Sequence, residues 1–157
     1  MEQRSECAQC ILRDRRGFLR DAVGAVIAAV ALPVSVLSAR QRGVDGPRYP
    51  VPATDGVQID RDNQVILVRW QNAVYAFNLS CPHQNTALRW DGADGRFQCP
   101  KHHSKYQPDG TFIEGRATRN MDRFTVQRDG DMIAVDVDAM HKSDEDGPTW
   151  ASAVVRL

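Results

Sequence analysis

The chain has 157 residues, enough for one domain whose apolar core needs no disulfide bonds. Its 20 Lys and Arg residues balance 20 Asp and Glu residues, so no overall field favours nucleic acid or an acidic substrate. The four cysteines form two distant pairs, Cys7 with Cys10 and Cys81 with Cys99. Cysteine number alone therefore indicates neither a disulfide framework nor a redox compartment.

The first predicted segments are a tail (residues 1–21) and a hydrophobic helix (residues 22–39). Arg15 and Arg16 precede Phe18-Leu19, and an uncharged Ala/Val-rich run follows. This arrangement resembles a twin-arginine export signal, a route that carries proteins already folded around their cofactors. A basic amphipathic start to an ordinary helix is the alternative. A helix over that run would be about 27 Å long, close to a hydrocarbon thickness of about 30 Å.

Flanking charges predict how that helix sits in a membrane. Five arginines precede the run and three follow it closely, which favours a cytoplasmic N-terminus. The residues before Ala39 make no clean cleavage pattern. We therefore predict a retained anchor in the bacterial inner membrane and a periplasmic location for the rest of the chain. Cys7 and Cys10 have the spacing of half a zinc site but no second pair nearby, which favours two reduced thiols.

A linker and one β domain are predicted after the anchor. Residues 40–47 contain two glycines and a proline without an apolar period, which is typical of a linker. Residues 48–157 contain short alternating runs that predict antiparallel strands at 65–70, 73–77, 124–127 and 132–137. Asp-Gly and Asp-Asn pairs between the runs predict tight turns. No helix of convincing length is expected here, and the apolar run at 150–155 predicts a last strand or a contact with a partner.

Two short motifs in this domain combine cysteine with histidine. They are Cys81-Pro82-His83 and Cys99-Pro100-Lys101-His102, with 15 residues between His83 and Cys99. Order and spacing resemble the Rieske iron–sulfur family, over roughly residues 48 to 138. The resemblance implies an all-β domain of stacked small sheets. It also implies one [2Fe–2S] cluster per chain, with one iron held by Cys81 and Cys99 and the other by His83 and His102.

Two other interpretations of the four residues stay open. One is a tetrahedral Cys₂His₂ zinc site, although zinc fingers usually pair Cys with Cys and His with His ahead of a helix. The other is two buried cysteines with two surface histidines, which leaves the ordered motifs and their two prolines unexplained. The interleaved order of the ligand-type residues favours the Rieske interpretation over both.

Three neighbouring residues extend the resemblance to the surroundings of the cluster. Ser104 and Tyr106 stand where quinol-oxidising members carry a serine that donates to a bridging sulfide and a tyrosine that donates to a cysteine sulfur, here Cys81. Such donors favour the reduced cluster and raise its potential. Lys101 lies inside the second motif, where a cation also favours the more negative, reduced form.

The sequence also departs from the Rieske proteins of cytochrome bc complexes. Those proteins carry two further cysteines that clamp the loops, at offsets where this chain has Thr86 and Lys101. Gln84, Asn85 and His103 make the tip more polar than the apolar and glycine residues found there. The resemblance thus predicts an unclamped, polar variant, with looser loops than a disulfide would give.

These features lead to three functional hypotheses. The first is the electron-transfer subunit of a membrane quinol:cytochrome c type complex, with cytochrome b and cytochrome c type subunits as partners. The second is the small Rieske subunit of another exported oxidoreductase, similar to that of arsenite oxidase, with a large catalytic subunit as partner. The third is a stand-alone periplasmic electron carrier. All three place one-electron transfer on a Rieske cluster.

Overall fold

The computed structural model describes residues 44–157. The predicted tail, the anchor helix and the first half of the linker, residues 40–43, lie outside the described residues. Within the described part, no helix is long and apolar enough to cross a membrane. The elements there are β1 Arg48–Pro50, β2 Gly56–Asp60, β3 Val65–Trp70, β4 Ala73–Asn78, β5 Arg89–Asp91, β6 Arg96–Gln98, β7 Lys105–Tyr106, β8 Phe112–Glu114, β9 Arg123–Asp129, β10 Met132–His141, α1 Gly147–Ser152 and β11 Val155–Arg156.

The strands form two antiparallel sheets, as the all-β prediction expected. The larger sheet has the order β1-β10-β9-β4-β3-β2, and β11 also pairs with β4. The smaller sheet has the order β5-β6-β7-β8 and is inserted in the chain between β4 and β9. All four strands predicted from alternating runs are present. The smaller sheet carries both Cys/His motifs at or near its strand ends.

Strands β3 and β4 are buried on both faces, and this explains their unbroken apolar runs. In β3, Val65 and Leu67 belong to one apolar cluster, whereas Ile66 and Val68 belong to the other. Successive side chains of a strand point to opposite faces, so a strand between two cores needs apolar residues at every position. One of the two clusters also includes Phe97 and Tyr106 from the smaller sheet. It thereby joins that sheet to the larger one.

The hairpin between β3 and β4 turns without a glycine. Gln71 and Asn72 both have positive φ, 50° and 62°, as a two-residue type I′ turn requires. Tight turns were predicted only at Asp-Gly and Asp-Asn pairs, so the turn at Gln71-Asn72 was not predicted. Gly95 and Gly130, in predicted Asp-Gly turns, do adopt positive φ.

The C-terminal segment packs against its own domain. It begins with the six-residue helix α1, capped where the Asp146 side chain accepts a hydrogen bond from the Thr149 amide. Trp150, on α1, stacks against the Arg123 guanidinium at 3.6 Å and donates from Nε1 to the Met121 carbonyl. Of the run predicted at 150–155, only Val155 lies in a strand, β11, whereas residues 150–152 belong to α1, a helix that the sequence did not predict.

Candidate metal centre

The first Cys/His motif lies on a six-residue turn, residues 81–86, here called loop A. The Cys81 amide donates to the Thr86 carbonyl at 2.9 Å, and the Asn85 amide donates back to the Cys81 carbonyl at 2.9 Å. Asn85 adopts a left-handed φ of 51°, which asparagine tolerates better than most residues. A bridge between Ser80 and Ala87 closes the base of the loop. Loop A is therefore held by its own backbone.

The second motif lies on residues 99–104, here called loop B, which closes in the same way. The Cys99 amide donates to the Ser104 carbonyl at 2.9 Å, and the His103 amide donates to the Cys99 carbonyl at 3.0 Å. His103 has a φ of 57° and occupies the same fifth position as Asn85. Strands β6 and β7 flank the loop. The two loops thus share one fold and differ in the position of their ligand-type histidine, third in loop A and fourth in loop B.

The structure brings the two predicted histidines into contact. The rings of His83 and His102 meet edge to face, with centroids 4.7 Å apart and an angle of 72° between their planes. Both rings are partly exposed, whereas Cys81 and Cys99 are buried as free thiols with exposures of 0% and 1%. The site therefore has a buried sulfur side and a nitrogen side that reaches solvent.

Unsatisfied atoms at the site fit a bound metal cluster. The Nδ1 atoms of His83 and His102 are buried and have no hydrogen-bond partner in the structure. Buried polar atoms nearly always have a partner. Two such nitrogens, together with the two buried thiols, form a set of two nitrogen and two sulfur donors that suits a metal centre. Within residues 44–157, no three His, Cys, Asp or Glu side chains converge as ligands of a single ion. A [2Fe–2S] cluster requires only two protein ligands at each iron.

The surroundings of the site set the protonation of its donors. Burial raises the pKa of the Cys81 thiol, while hydrogen bonds from Tyr106 and from the His83 backbone act in the opposite direction. Burial lowers the pKa of His102, and the charges of His83, Arg116 and Lys101 lower it further. The imidazole of His102 is thus held in the neutral form that binds metals, and a metal must displace the Cys81 proton.

Tyr106 contacts the sulfur that the resemblance implied. Its hydroxyl lies 3.4 Å from Cys81 Sγ, and the whole side chain is buried. Burial raises the pKa of Tyr106, and the hydrogen bond to Cys81 raises it further, although Ser104 acts the other way. The phenol therefore stays protonated at physiological pH. Against a thiolate, Tyr106 is the donor.

Ser104 is fixed beside Tyr106 by residues 115–118, the segment that follows β8 and is here called the return segment. Its Oγ accepts the amides of Arg116 at 3.1 Å and Ala117 at 3.0 Å. A hydroxyl that accepts two bonds keeps its own proton to donate. Gly115 makes this approach possible, because a Cβ there would lie 2.9 Å from the Ser104 amide nitrogen and closer still to its Cα. Its φ of 118° also suits only glycine.

We expect Tyr106→Phe to lower the midpoint potential of the cluster. The variant loses a hydroxyl that favours the more negative, reduced state, and a differential of roughly 1 kcal/mol corresponds to about 40 mV for one electron. Protein-film voltammetry measures the shift. Tyr75→Phe is the matched control, since that ring stacks on Phe77 and its hydroxyl bonds to no sulfur in the part of the chain that the structure describes. Equal potentials for all three proteins would contradict the assigned role of Tyr106.

The sequence predicted the roles of three other residues around the site less well. Lys101 is exposed at the outer side of loop B and acts on His102 only through its charge. Thr86 closes loop A through its carbonyl, a role independent of its side chain. Gly110, with a φ of 83°, allows the ring of Phe77 to pack directly against the backbone behind the site. Its Asp-Gly pair predicted a turn but not this contact.

Comparisons with known proteins agree with this geometry. Residues 47–137 match the family model of the Rieske [2Fe-2S] domain, which covers both loops, the smaller sheet and the larger sheet except for β11 and the end of β10. The cytochrome b6-f complex iron-sulfur subunit of Chlorobaculum tepidum is 28% identical over 137 residues, covering 79% of this chain and 76% of that protein. The corresponding subunit of Chlorobaculum thiosulfatiphilum is 27% identical over 137 residues, covering 78% and 75%.

A solved structure is also similar over part of the chain. The plasma membrane Rieske protein PetC3 from Synechocystis PCC 6803 is 26% identical and has a TM-score of 0.43, covering 50% of this chain and 82% of that one. The family model alone spans more than half of the 157 residues. The chain belongs to the Rieske [2Fe-2S] domain family, whose cofactor is a [2Fe–2S] cluster that takes up and returns one electron.

Proposed function

We propose that this protein is the iron–sulfur subunit of a membrane quinol:cytochrome c type complex. Cys81 and Cys99 would hold one iron of the cluster, and His83 and His102 the other. The cluster supplies one-electron chemistry when it is bound. The chain's own residues would bind it, bury its sulfur side and leave the two imidazoles partly exposed at the surface.

The observation that carries this proposal is the hydroxyl pair beside the cysteines. Tyr106 lies within hydrogen-bond distance of Cys81 Sγ, and Ser104 is held by two amides with its proton free to donate. Donors to the sulfurs favour the reduced cluster, and quinol oxidation needs an acceptor of high potential. Further support comes from the two Chlorobaculum relatives, which are subunits of the cytochrome b6-f complex.

The proposal includes a membrane location. The twin-arginine motif at Arg15-Arg16 and the hydrophobic run at residues 22–39 support export and retention as an anchor on the periplasmic side of the bacterial inner membrane.

Purification of the full-length tagged protein from its own host tests the proposal. We expect it in the membrane fraction, together with b-type and c-type haem subunits, and we expect quinol to reduce its cluster in that complex. A large molybdenum-containing subunit in place of the haem subunits would contradict the proposal in favour of the arsenite oxidase type. Recovery as a single soluble polypeptide would contradict it in favour of a stand-alone carrier.

A further inference from the structure

We propose that the tip of the Rieske domain docks on an acidic protein surface that surrounds the redox centre of its electron-transfer partner. The tip is defined here as loops A and B together with residues 115–118. This inference rests on the proposed electron-transfer function and adds the chemistry of the partner's surface. The distribution and pairing of charges around His83 and His102 support it.

The tip is positive while the rest of the described domain is negative. Residues 44–157 contain 13 Lys and Arg against 16 Asp and Glu, a net charge of −3 with neutral histidines. The tip contains Lys101 and Arg116 and no acidic residue, so it carries +2 and the remainder of the described residues carries −5. A field of this kind orients the domain as it approaches a charged partner.

The two cations of the tip are unneutralised. Nearby charges of the smaller sheet pair with each other, Lys105 with Glu114 and Arg96 with Asp94. Within residues 44–157, neither Lys101 nor Arg116 has a carboxylate within ion-pair distance, and both are exposed. Unpaired exposed cations are available to a partner.

A third cation beside the tip is balanced. Arg89 lines an open cleft next to Pro100 and His103, but Asp91 lines the same cleft. The Asp91 carboxylate accepts the amides of Ala93 and Asp94, which fixes its negative charge there. The positive surface is thus centred on Lys101 and Arg116.

Those two cations flank the imidazoles. Lys101 directly precedes His102 in loop B, and the Arg116 amide is bonded to Ser104 Oγ at the end of the same loop. A partner that covers the tip therefore meets the side of the site where the imidazoles reach the surface.

The chemistry of the tip favours an acidic protein surface at its electron-transfer partner over an apolar protein pocket or a lipid surface. Burying Lys101 and Arg116 in an apolar pocket would leave two charges without partners, at a high desolvation cost. Exposed Gln84 and Asn85 would lose hydrogen bonds to water there. An anionic lipid surface would satisfy the cations but would place no redox centre opposite the imidazoles. An acidic protein surface around a redox centre does both.

Stopped-flow electron transfer tests the inference. The reduced full-length holoprotein is mixed with two c-type cytochromes, one acidic and one basic around its exposed haem edge. At about 10 mM ionic strength, where charges act over about 30 Å, we expect the acidic cytochrome to react faster. Lys101→Gln/Arg116→Gln should lower about tenfold the ratio of the rate at this ionic strength to the rate of the same variant at about 1 M salt, where the charges are screened.

A matched control removes two positive charges elsewhere. Arg128 and Arg156 are exposed. The register of β4 with β9 and β11 places both toward the end of the larger sheet where β4 begins, away from its exit to loop A. Arg128→Gln/Arg156→Gln should leave the rate with the acidic cytochrome within about twofold. Comparing each variant with its own rate at high salt separates a loss of electrostatic steering from a change in the cluster's potential.

Three outcomes would overturn the inference. The first is an equal loss of rate in the tip variant and the control variant. The second is a faster reaction with the basic cytochrome at low salt. The third is binding to vesicles containing phosphatidylglycerol that the tip variant loses while its rate with the acidic cytochrome stays unchanged, which would assign the tip to lipid. Absence of the cluster's electron paramagnetic resonance signal in the wild-type protein would instead overturn the proposed function together with this inference.

Discussion

Replacing His102 with alanine is expected to abolish the rhombic electron paramagnetic resonance signal of the reduced protein. The buried Nδ1 of His102 has no hydrogen-bond partner among residues 44–157, and its removal would leave one iron with a single protein ligand. Iron content should fall from about two atoms per chain to near zero. Spectroscopy of the reduced protein and iron analysis of the same sample measure both effects.

The neighbouring histidine supplies the control for this substitution. His103 is exposed, sits at a φ of 57° and contacts Gln98 Nε2 at 3.2 Å through its Nδ1. His103→Asn removes the imidazole but keeps a residue that tolerates a left-handed backbone. We expect this variant to retain the signal and the iron. A spectrum unchanged in His102→Ala, or lost equally in both variants, would rule out the assigned ligand set.

Gly115→Ala is expected to destabilise the domain by about 3 kcal/mol or more. The new methyl would lie 2.9 Å from the Ser104 amide nitrogen and 3.0 Å from its Oγ, so the return segment would have to move away from loop B. That movement also breaks the amide bonds from Arg116 and Ala117 that hold the Ser104 hydroxyl. Urea unfolding followed by circular dichroism gives the loss in free energy of unfolding, and cluster absorbance gives its retention.

Gly95→Ala separates the collision from the cost of the backbone conformation. Gly95 also has a positive φ, 62°, but a Cβ there would meet no atom within 4 Å. This control should cost only about 1 kcal/mol and keep the cluster. Equal losses in the two variants would show that the contact between Gly115 and Ser104 contributes nothing beyond backbone strain.

The sequence predicted those parts of the domain that depend on local pattern. Strand alternation located β3, β4, β9 and β10, since the faces of a strand follow from its period of two. It did not reveal that β3 and β4 lie between two cores, because a continuous apolar run fits several buried structures. The Gln71-Asn72 turn was missed because asparagine tolerates positive φ but glutamine gives no such signal, and the turn needs positive φ at both residues.

The site was predicted through side-chain identity, and its packing was not. Cys/His order pointed to the ligand residues, but equal closure of loops A and B depends on backbone bonds that no residue type specifies. Helix α1 was missed because its six residues are anchored by the distant Arg123 and Met121 rather than by an apolar period. Such contacts join residues more than 20 positions apart and leave no local signal.

The self-closed form of the two loops has a consequence for the order of assembly. Each loop is closed by two backbone hydrogen bonds between its own six residues. Neither pair of bonds involves the other loop. Folding alone would therefore shape both ligand loops. Iron and sulfide would then bind to loops that are already formed. In the apoprotein, the amides of Cys81 and Cys99 should exchange slowly with deuterium. Folding would then precede insertion of the cluster.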